Sequence, residues 1–496
     1  MTKDISARQN EFTRKQRHIT QRIIVRGLLI LDTPTCLGSG NADSPTDLPL
    51  LMDSISDHAL LTGSSIAGAV RNYLREHEHG YMANEQAHDL ATLLFGGMRS
   101  DDDGNQSSLI IDDAISTKPI KAELRDGVKI NSATGTAEDK AKYDLELLQA
   151  GTEFPLSFEL LIDKNNDEAT LLKALAIALQ GLEKGEISLG MKKRRGFGRC
   201  HVEEWQVWSF NLEDSGDRTS WLNFEHWRTG LLPDRKTCPS IATALGVSLD
   251  SEIDKRDRFV IHAEFQLVGS LLIRSGQDST GRAPDVVHLK SYRPEKSGSE
   301  SVLSGTSLAG VLRHRAERIV NTLEKLTTII DEMFGPDFSK DKTKQAKASR
   351  LIVHEKVIKD ATDLVQNRIA IDRFTGGAYH GALFDEQPIF GGDETIVSIE
   401  LELQNPKECE IGLLLLLLKD LWTSDLPVGG ESSIGRGRLK GIKADLIWHH
   451  PDNQKQWKIL EENGKLQVTD TDIVEKSKTQ ESVMDEIEKF VKALLS

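Results

Sequence analysis

Two kinds of segment in this chain carry residue types that bind anions. The first is Leu61-Thr-Gly-Ser-Ser-Ile-Ala-Gly-Ala-Val-Arg71, which recurs as Leu303-Ser-Gly-Thr-Ser-Leu-Ala-Gly-Val-Leu-Arg313. A Gly-Ser/Thr-Ser helix start presents unpaired backbone N–H groups and the positive end of the helix dipole. Ser64-Ser65 and Thr306-Ser307 are the expected N-caps. Arg71, Arg75, Arg313, Arg315 and Arg318 decorate the same helices. Gly68 and Gly310 fall inside them, where glycine costs roughly 1 kcal/mol relative to alanine. A cost taken twice implies close packing or a closely approaching ligand. The second kind is a glycine-basic loop, Gly190-Met-Lys-Lys-Arg-Arg-Gly-Phe-Gly-Arg199 and Gly429-Gly-Glu-Ser-Ser-Ile-Gly-Arg-Gly-Arg438. Glycine admits close backbone approach to a phosphate, and Arg and Lys supply counter-charge. Neither loop has the Gly-Lys-Ser/Thr of a P-loop or the spacing of a dinucleotide fingerprint. A capped amphipathic helix and a solvated basic loop are the plain structural alternatives.

The elements that hold these segments are themselves repeated. Gly63 and Gly305 are 242 positions apart. Leu109-Ile-Ile pairs with Leu351-Ile-Val, Thr134-Gly135 with Thr375-Gly376, and Arg22 with Arg258, all near that offset. With Gly196 and Gly435 of the basic loops, 239 apart, that makes five landmarks in one order, which mean a tandem duplication. Each copy reads as a strand (22–31; 258–267), a long loop (32–49; 274–302), the signature helix, a Phe-Gly turn and a short strand. A polar stretch with a Thr-Gly tip follows (116–152; 355–394) and reads as an extended hairpin. A strand, an apolar helix and the basic loop close each copy.

We expect an N-terminal extension at 1–20, domains at 21–210 and 255–450, a Trp-rich connector at 211–254, and an acidic, partly helical tail at 451–496 with a docking helix. The net charge of −15 gives no global sign of a nucleic-acid binder, so that signal is local. The four cysteines are scattered, which fits free thiols in a reducing compartment and disfavours a zinc site. With no apolar run of membrane-spanning length and no signal-peptide h-region, the expectation is a cytoplasmic protein with no membrane partner.

The paired signature helices, Asp372-Arg-Phe-Thr-Gly-Gly377 and the terminal loops together resemble the RAMP superfamily of CRISPR effector subunits. More narrowly, the chain resembles backbone subunits of type III complexes, and two fused copies resemble III-D-like systems. The resemblance implies an α+β fold of two modified RRM/ferredoxin-like domains, each with a thumb hairpin. It implies binding to guide CRISPR RNA, complementary target RNA and other effector subunits. The expected RNA contacts are Ser64, Ser65, Arg71, Lys192, Lys193, Arg194, Arg195, Arg199, Thr306, Ser307, Arg313, Arg373, Arg436 and Arg438, with Thr134 and Thr375 at the thumb tips.

It also implies target-RNA cleavage by an aspartate after the first strand, with a divalent ion, magnesium or manganese. Asp47-Leu-Pro-Leu-Leu lies 16 residues before Gly63 and matches the family pattern. Asp285 lies 20 before Gly305, lacks the proline, and precedes an insertion around 293–300. Asp47 and Asp285 are therefore the expected catalytic and metal-binding residues, with Asp43 and Asp278 as alternatives. Two other readings stay open: a scaffold without cleavage, and a processor of guide precursor. No histidine sits at matched positions in the two copies, as that last reading would favour.

Overall fold

The computed structural model describes residues 17–39, 49–98, 106–131, 134–228, 230–275, 284–296, 298–338, 343–462, 465–470 and 480–495. The first repeat runs β1 (Ile19–Leu31), α1 (Gly63–His79), β2 (Leu109–Ile111), β3 (Ala122–Ile130), β4 (Ala137–Leu148), β5 (Glu153–Asp163), α2 (Glu168–Glu183) and β6 (Cys200–Asn211). The order across its antiparallel sheet is β2-β5-β1-β6. This is the βαββαβ ferredoxin-like arrangement, with β3–β4 inserted as a separate two-stranded ribbon.

The second repeat runs β7 (Arg258–Val268), α3 (Gly305–Thr322), β8 (Leu351–Val353), β9 (Gln366–Ile371), β10 (Ala378–Gln387), β11 (Ile396–Gln404), α4 (Glu408–Trp422) and β12 (Arg438–His450). Its sheet repeats the order β8-β11-β7-β12. The chain is thus two tandem ferredoxin-like domains of the α+β class.

Alternation along the first strand explains the layering. Ile23, Val25, Leu29 and Leu31 point to the helices and are buried with Ile66, Val70 and Leu74 of α1 and Leu175 and Leu179 of α2. Each such side chain contributes about 1.5–3 kcal/mol by leaving water. Ile24 and Arg26 point to the other face of the sheet. The second core is built alike, with Ile261, Phe265 and Leu267 against Leu308, Leu312 and Leu414.

Two segments hold more strand than the sequence suggests. The helix of the tail is confined to its end, and before it β13 (Asn453–Glu462) and β14 (Lys465–Asp470) extend the second sheet beyond β12. Only α5 (Gln480–Leu495) is helix, and it packs on α4 so closely that a Cβ at Gly412 would lie 2.2 Å from Phe490 O. Trp457 and Val468 alternate inward on these strands, a period-two signal that the tail's charge obscured. The loop expected at 274–302 contains strands Val286–His288, Lys290–Arg293 and Gly298–Leu303, the last two forming a hairpin.

The repeats meet face to tail. The open face of the second sheet (Val260, His262, Glu400, Glu402) lies against α1 and the basic loop of the first repeat, across a cleft of about 820 Å³. Three ionic knots tie this junction. Arg125 Nη1 and Arg293 Nη2 lie 2.9 and 2.8 Å from the fully buried Glu355. Arg199 Nη1 lies 3.3 Å from Glu400, which also holds Lys356. Arg256 and Arg258 grip Glu186 at 2.7 and 3.1 Å.

Part of the connector packs on the first repeat, while its Trp227 is exposed. Its short helix Ser215–Leu222 and Phe224 cover the open face of the first sheet.

Candidate nucleic-acid interface

Each signature helix starts earlier than its serines suggest. Thr62 and Ser304, in extended backbone, are the N-caps: their hydroxyls accept from Ser65 N and Thr306 N, both at 3.3 Å. Ser64, Ser65, Thr306 and Ser307 therefore sit in the first turn. The glycine after each cap is dictated by crowding. A Cβ at Gly63 would stand 2.4 Å from Ile111 O, and one at Gly305 2.4 Å from both Val353 O and Arg195 O. Gly68 and Gly310 differ, because a Cβ at either meets nothing within 4 Å. No packing among the described residues requires them, and they leave a bare strip one turn behind the helix start.

The signature arginines are clamps. Arg71 holds Glu85 through Nε (2.8 Å) and Nη2 (3.0 Å) and donates to Gly97 O at 3.0 Å. Arg313 pairs with Glu317 and Asp331 and donates to Gly335 O at 2.7 Å. Each anchors its helix to the Phe-Gly turn that follows, so both guanidinium groups are already engaged inside the protein.

The two glycine-basic loops share one geometry. Each makes a single 3₁₀ turn, Lys193–Arg195 or Ser432–Ile434, entered at positive φ by Lys192 or Glu431 and left by Gly196 (φ 85°) or Gly435 (φ 91°). Gly198 and Gly437 are needed because a Cβ would lie 1.8 Å from Leu189 O or Val428 O. These glycines answer to the loops' own backbone.

The cations divide. Lys192 Nζ rests 3.9 Å from the centre of the Tyr143 ring. Arg199 is in the Glu400 knot, and Arg195 lies at the junction, its carbonyl against Gly305. Arg436 is buried between Glu386 (3.1 Å) and Glu431 (3.0 Å). Lys193 and Arg194 line the cleft beside Ser64 and Ser65. Desolvation first, and Arg194 second, pull the Lys193 ammonium below its ordinary value. Arg438 is exposed at the start of β12.

The hairpins β3–β4 and β9–β10 occupy the same place, between the second and third sheet strands. Their tips match. Asn131 Oδ1 accepts from Thr134 N at 3.2 Å, and Asp372 Oδ1 from Phe374 N and Thr375 N at 2.7 and 3.0 Å. Gly135 and Gly376 then take φ of 70° and 68°. The first hairpin leans on the second repeat, through Arg125 and through Lys129, 3.4 Å from Asp337. The second stands clear, with Phe374 99% exposed beside the exposed Arg373.

Asp43, Asp47 and Asp278 lie outside the described residues. Asp285 is exposed at the foot of the second hairpin, where its Oδ2 accepts from Asp385 N at 3.1 Å. The following strand, Val286–His288, pairs in parallel with β10. His288 is a core residue: burial pulls it down to about 4, and its Nδ1 accepts from Ile273 N. His58 Nδ1 is bound to Ser116 O at 2.5 Å.

Among the described residues, Glu78, His79 and Asp89 alone have the spacing of a three-ligand metal site. Their carboxylates are already used: Glu78 accepts from Leu90 N at the start of the short helix 90–95, and Asp89 accepts from Gln86 N in the turn before it. Asp285 offers a single carboxylate. That suits a magnesium-type ion held by one or two carboxylates together with phosphate oxygens, rather than a cage made by protein alone.

The residues that sequence reasoning missed are those of the junction: Arg125, Glu355, Glu186 and Glu400. Nothing in the sequence distinguished them from solvated charges.

The family model of the RAMP superfamily matches residues 29–201 and again 264–440, one match to each repeat. Comparison with curated proteins gives no match. Among the described residues no helix is long and apolar enough to cross a membrane.

Proposed function

The chain belongs to the RAMP superfamily, and from that premise we propose that it is a guide-RNA-binding backbone subunit of a type III CRISPR effector complex that also cleaves the complementary target RNA. The observation that carries the RNA-binding part is the second hairpin. An aromatic ring left 99% exposed beside an exposed arginine is costly in water and suited to a base. Stacking on such a ring contributes about 1–3 kcal/mol per base, and the arginine answers a phosphate. The bare strip at Gly68 and Gly310, next to two helix N-termini, supports the same reading.

In the cleavage reading, a hairpin wedged into the guide–target duplex displaces a nucleotide and turns its 2′-hydroxyl in line with the adjacent phosphate. The carboxylate of Asp47 or Asp285 accepts the hydroxyl proton as that oxygen attacks phosphorus and the 5′-oxygen departs. Alternatively these carboxylates would hold a divalent ion, which would supply charge compensation at the phosphorus. The place of Asp285 at the foot of a hairpin supports this role. Its bond to Asp385 N equally suits a turn-forming aspartate in a scaffold, which is the competing reading.

The test is guide-RNA binding as a function of salt. Wild type should lose affinity steeply as salt rises, because phosphate contacts release counterions. Phe374→Ala should weaken binding about 5- to 150-fold with the salt slope unchanged, the range of one lost stack. Binding unaffected by both Phe374→Ala and Arg373→Ala would contradict the hairpin's role.

A further inference from the structure

The junction between the repeats is a heterologous contact: one surface of the first domain (donor) meets a different surface of the second (acceptor). Because the domains are copies, each carries both surfaces, so such a contact can in principle continue without end. The other two surfaces have different fates here.

Among the described residues nothing fills the donor surface of the second repeat. A Cβ at Gly196 in the first basic loop would strike Glu355 N of the second repeat at 2.3 Å, whereas one at the equivalent Gly435 meets nothing within 4 Å. The first hairpin is tied to the second repeat by Arg125 and Lys129. The second hairpin leaves Ile371 and Leu383 65% and 68% exposed.

The acceptor surface of the first repeat is closed by the chain itself. Arg22, Ile24 and Arg26 stand where Arg258, Val260 and His262 receive the first domain. Over them lie Trp221, with the Arg22 guanidinium 4.6 Å from its ring, and Phe224, with that of Arg26 at 4.8 Å. Arg26 also donates to Glu225 O at 2.7 Å, and Gln206 to Leu232 O at 2.7 Å.

We propose that the connector is a stopper: the chain cannot polymerise with itself, and its free donor surface takes the open sheet face of a RAMP-type domain on a different chain. The continuity of this surface with the internal junction identifies its occupant. That junction shows what covers the same elements when they are covered. The inference rests on the junction and not on RNA or cleavage, so the test is made on the RNA-free chain.

Sedimentation velocity should give a monomer for wild type at every concentration. Trp221→Ser with Phe224→Ser opens the acceptor face, and this variant should grow into longer species as concentration rises. Adding Gly435→Trp to it blocks the donor loop and should restore the monomer. Wild type mixed with that blocked, opened variant should form a 1:1 pair and nothing larger. Should the double serine variant fail to fold by circular dichroism, Arg26→Gln with Gln206→Ala loosens the same segment more gently and takes its place. Self-association of wild type, or no pairing between wild type and a folded opened variant, would overturn the proposal.

Discussion

Arg125 Nη1 lies 2.9 Å from Glu355 Oε2, joining the foot of the first hairpin to the second repeat across 230 positions of sequence. Glu355 is fully buried, and burial alone would raise its carboxyl. Arg125 and Arg293 outweigh that and hold it below the ordinary range. Arg293 comes from the hairpin 290–303, the insertion that lengthens the second repeat's loop, so the extra residues serve the junction.

Arg125→Ala leaves two buried carboxylates short of a cation, Glu123 without its arginine and Glu355 with Arg293 alone. The expected loss is about 3–5 kcal/mol, the cost of removing one partner of a buried pair. Chemical denaturation measures it. A change below about 1 kcal/mol, the range of exposed pairs, would mean that the knot is solvated in solution.

Gly196→Ala and Gly435→Ala form a matched pair. Both glycines are left-handed, at φ 85° and 91°, so both substitutions carry backbone strain on the order of 1 kcal/mol. Only Gly196→Ala also drives a methyl into Glu355 N. It should destabilise the chain clearly more than Gly435→Ala, and equal losses would contradict the docking of the first loop on the second repeat.

How much of this was legible in the sequence depends on the range of the interaction. The duplicated fold was readable because strand alternation and helix periodicity are local, as in Ile23, Val25 and Leu29 against Ile66 and Val70. The Thr-Gly tips were readable for the same reason. The fate of the basic loop was not. Lys192 to Arg195 look alike as a run of charge, and only the approach of a distant strand turns Arg195 inward while Lys193 and Arg194 face the cleft. The tail misled for a similar reason, since Trp457 and Val468 become strand residues only once β13 pairs with β12 and β14 with β13.

Acid should loosen the protein in two stages. His288 and His354 are pulled by burial from 6.5 to about 4. Between these values the unfolded chain binds more protons than the folded one, so stability falls as pH drops through that window. Glu186 is held at about 2 against its own burial by Arg256 and Arg258, so its contribution is present above its unfolded value of 4.5 and is lost as pH falls toward 2. Glu400 adds to the second stage: against its own burial it is held at about 2 by His354, which is charged below about 4, and by Lys356 and Arg199. Denaturation midpoints measured across this range should decline from near pH 6.5 downward. A midpoint constant down to pH 4.5 would contradict the buried neutral histidines.

Lys193→Gln with Arg194→Gln removes the two loop cations that face the cleft while leaving Arg195 and Arg199 in the junction. Guide retention should weaken and the salt slope of log affinity should fall by about 1.4, roughly 0.7 for each single-strand phosphate that is no longer neutralised. Thermal stability should change little. An unchanged salt slope would take these residues out of the RNA path.

The most direct test of the central claim is a cleavage map. The guide-loaded complex, supplied with magnesium or manganese and end-labelled complementary RNA, is compared for wild type, Asp47→Ala, Asp285→Ala and the double variant. The account predicts that each single substitution erases one distinct cut while the target stays bound, and that the double variant erases both. Cuts that all persist in a double variant still bound to its target would contradict it and leave a scaffold that measures the duplex without cutting it.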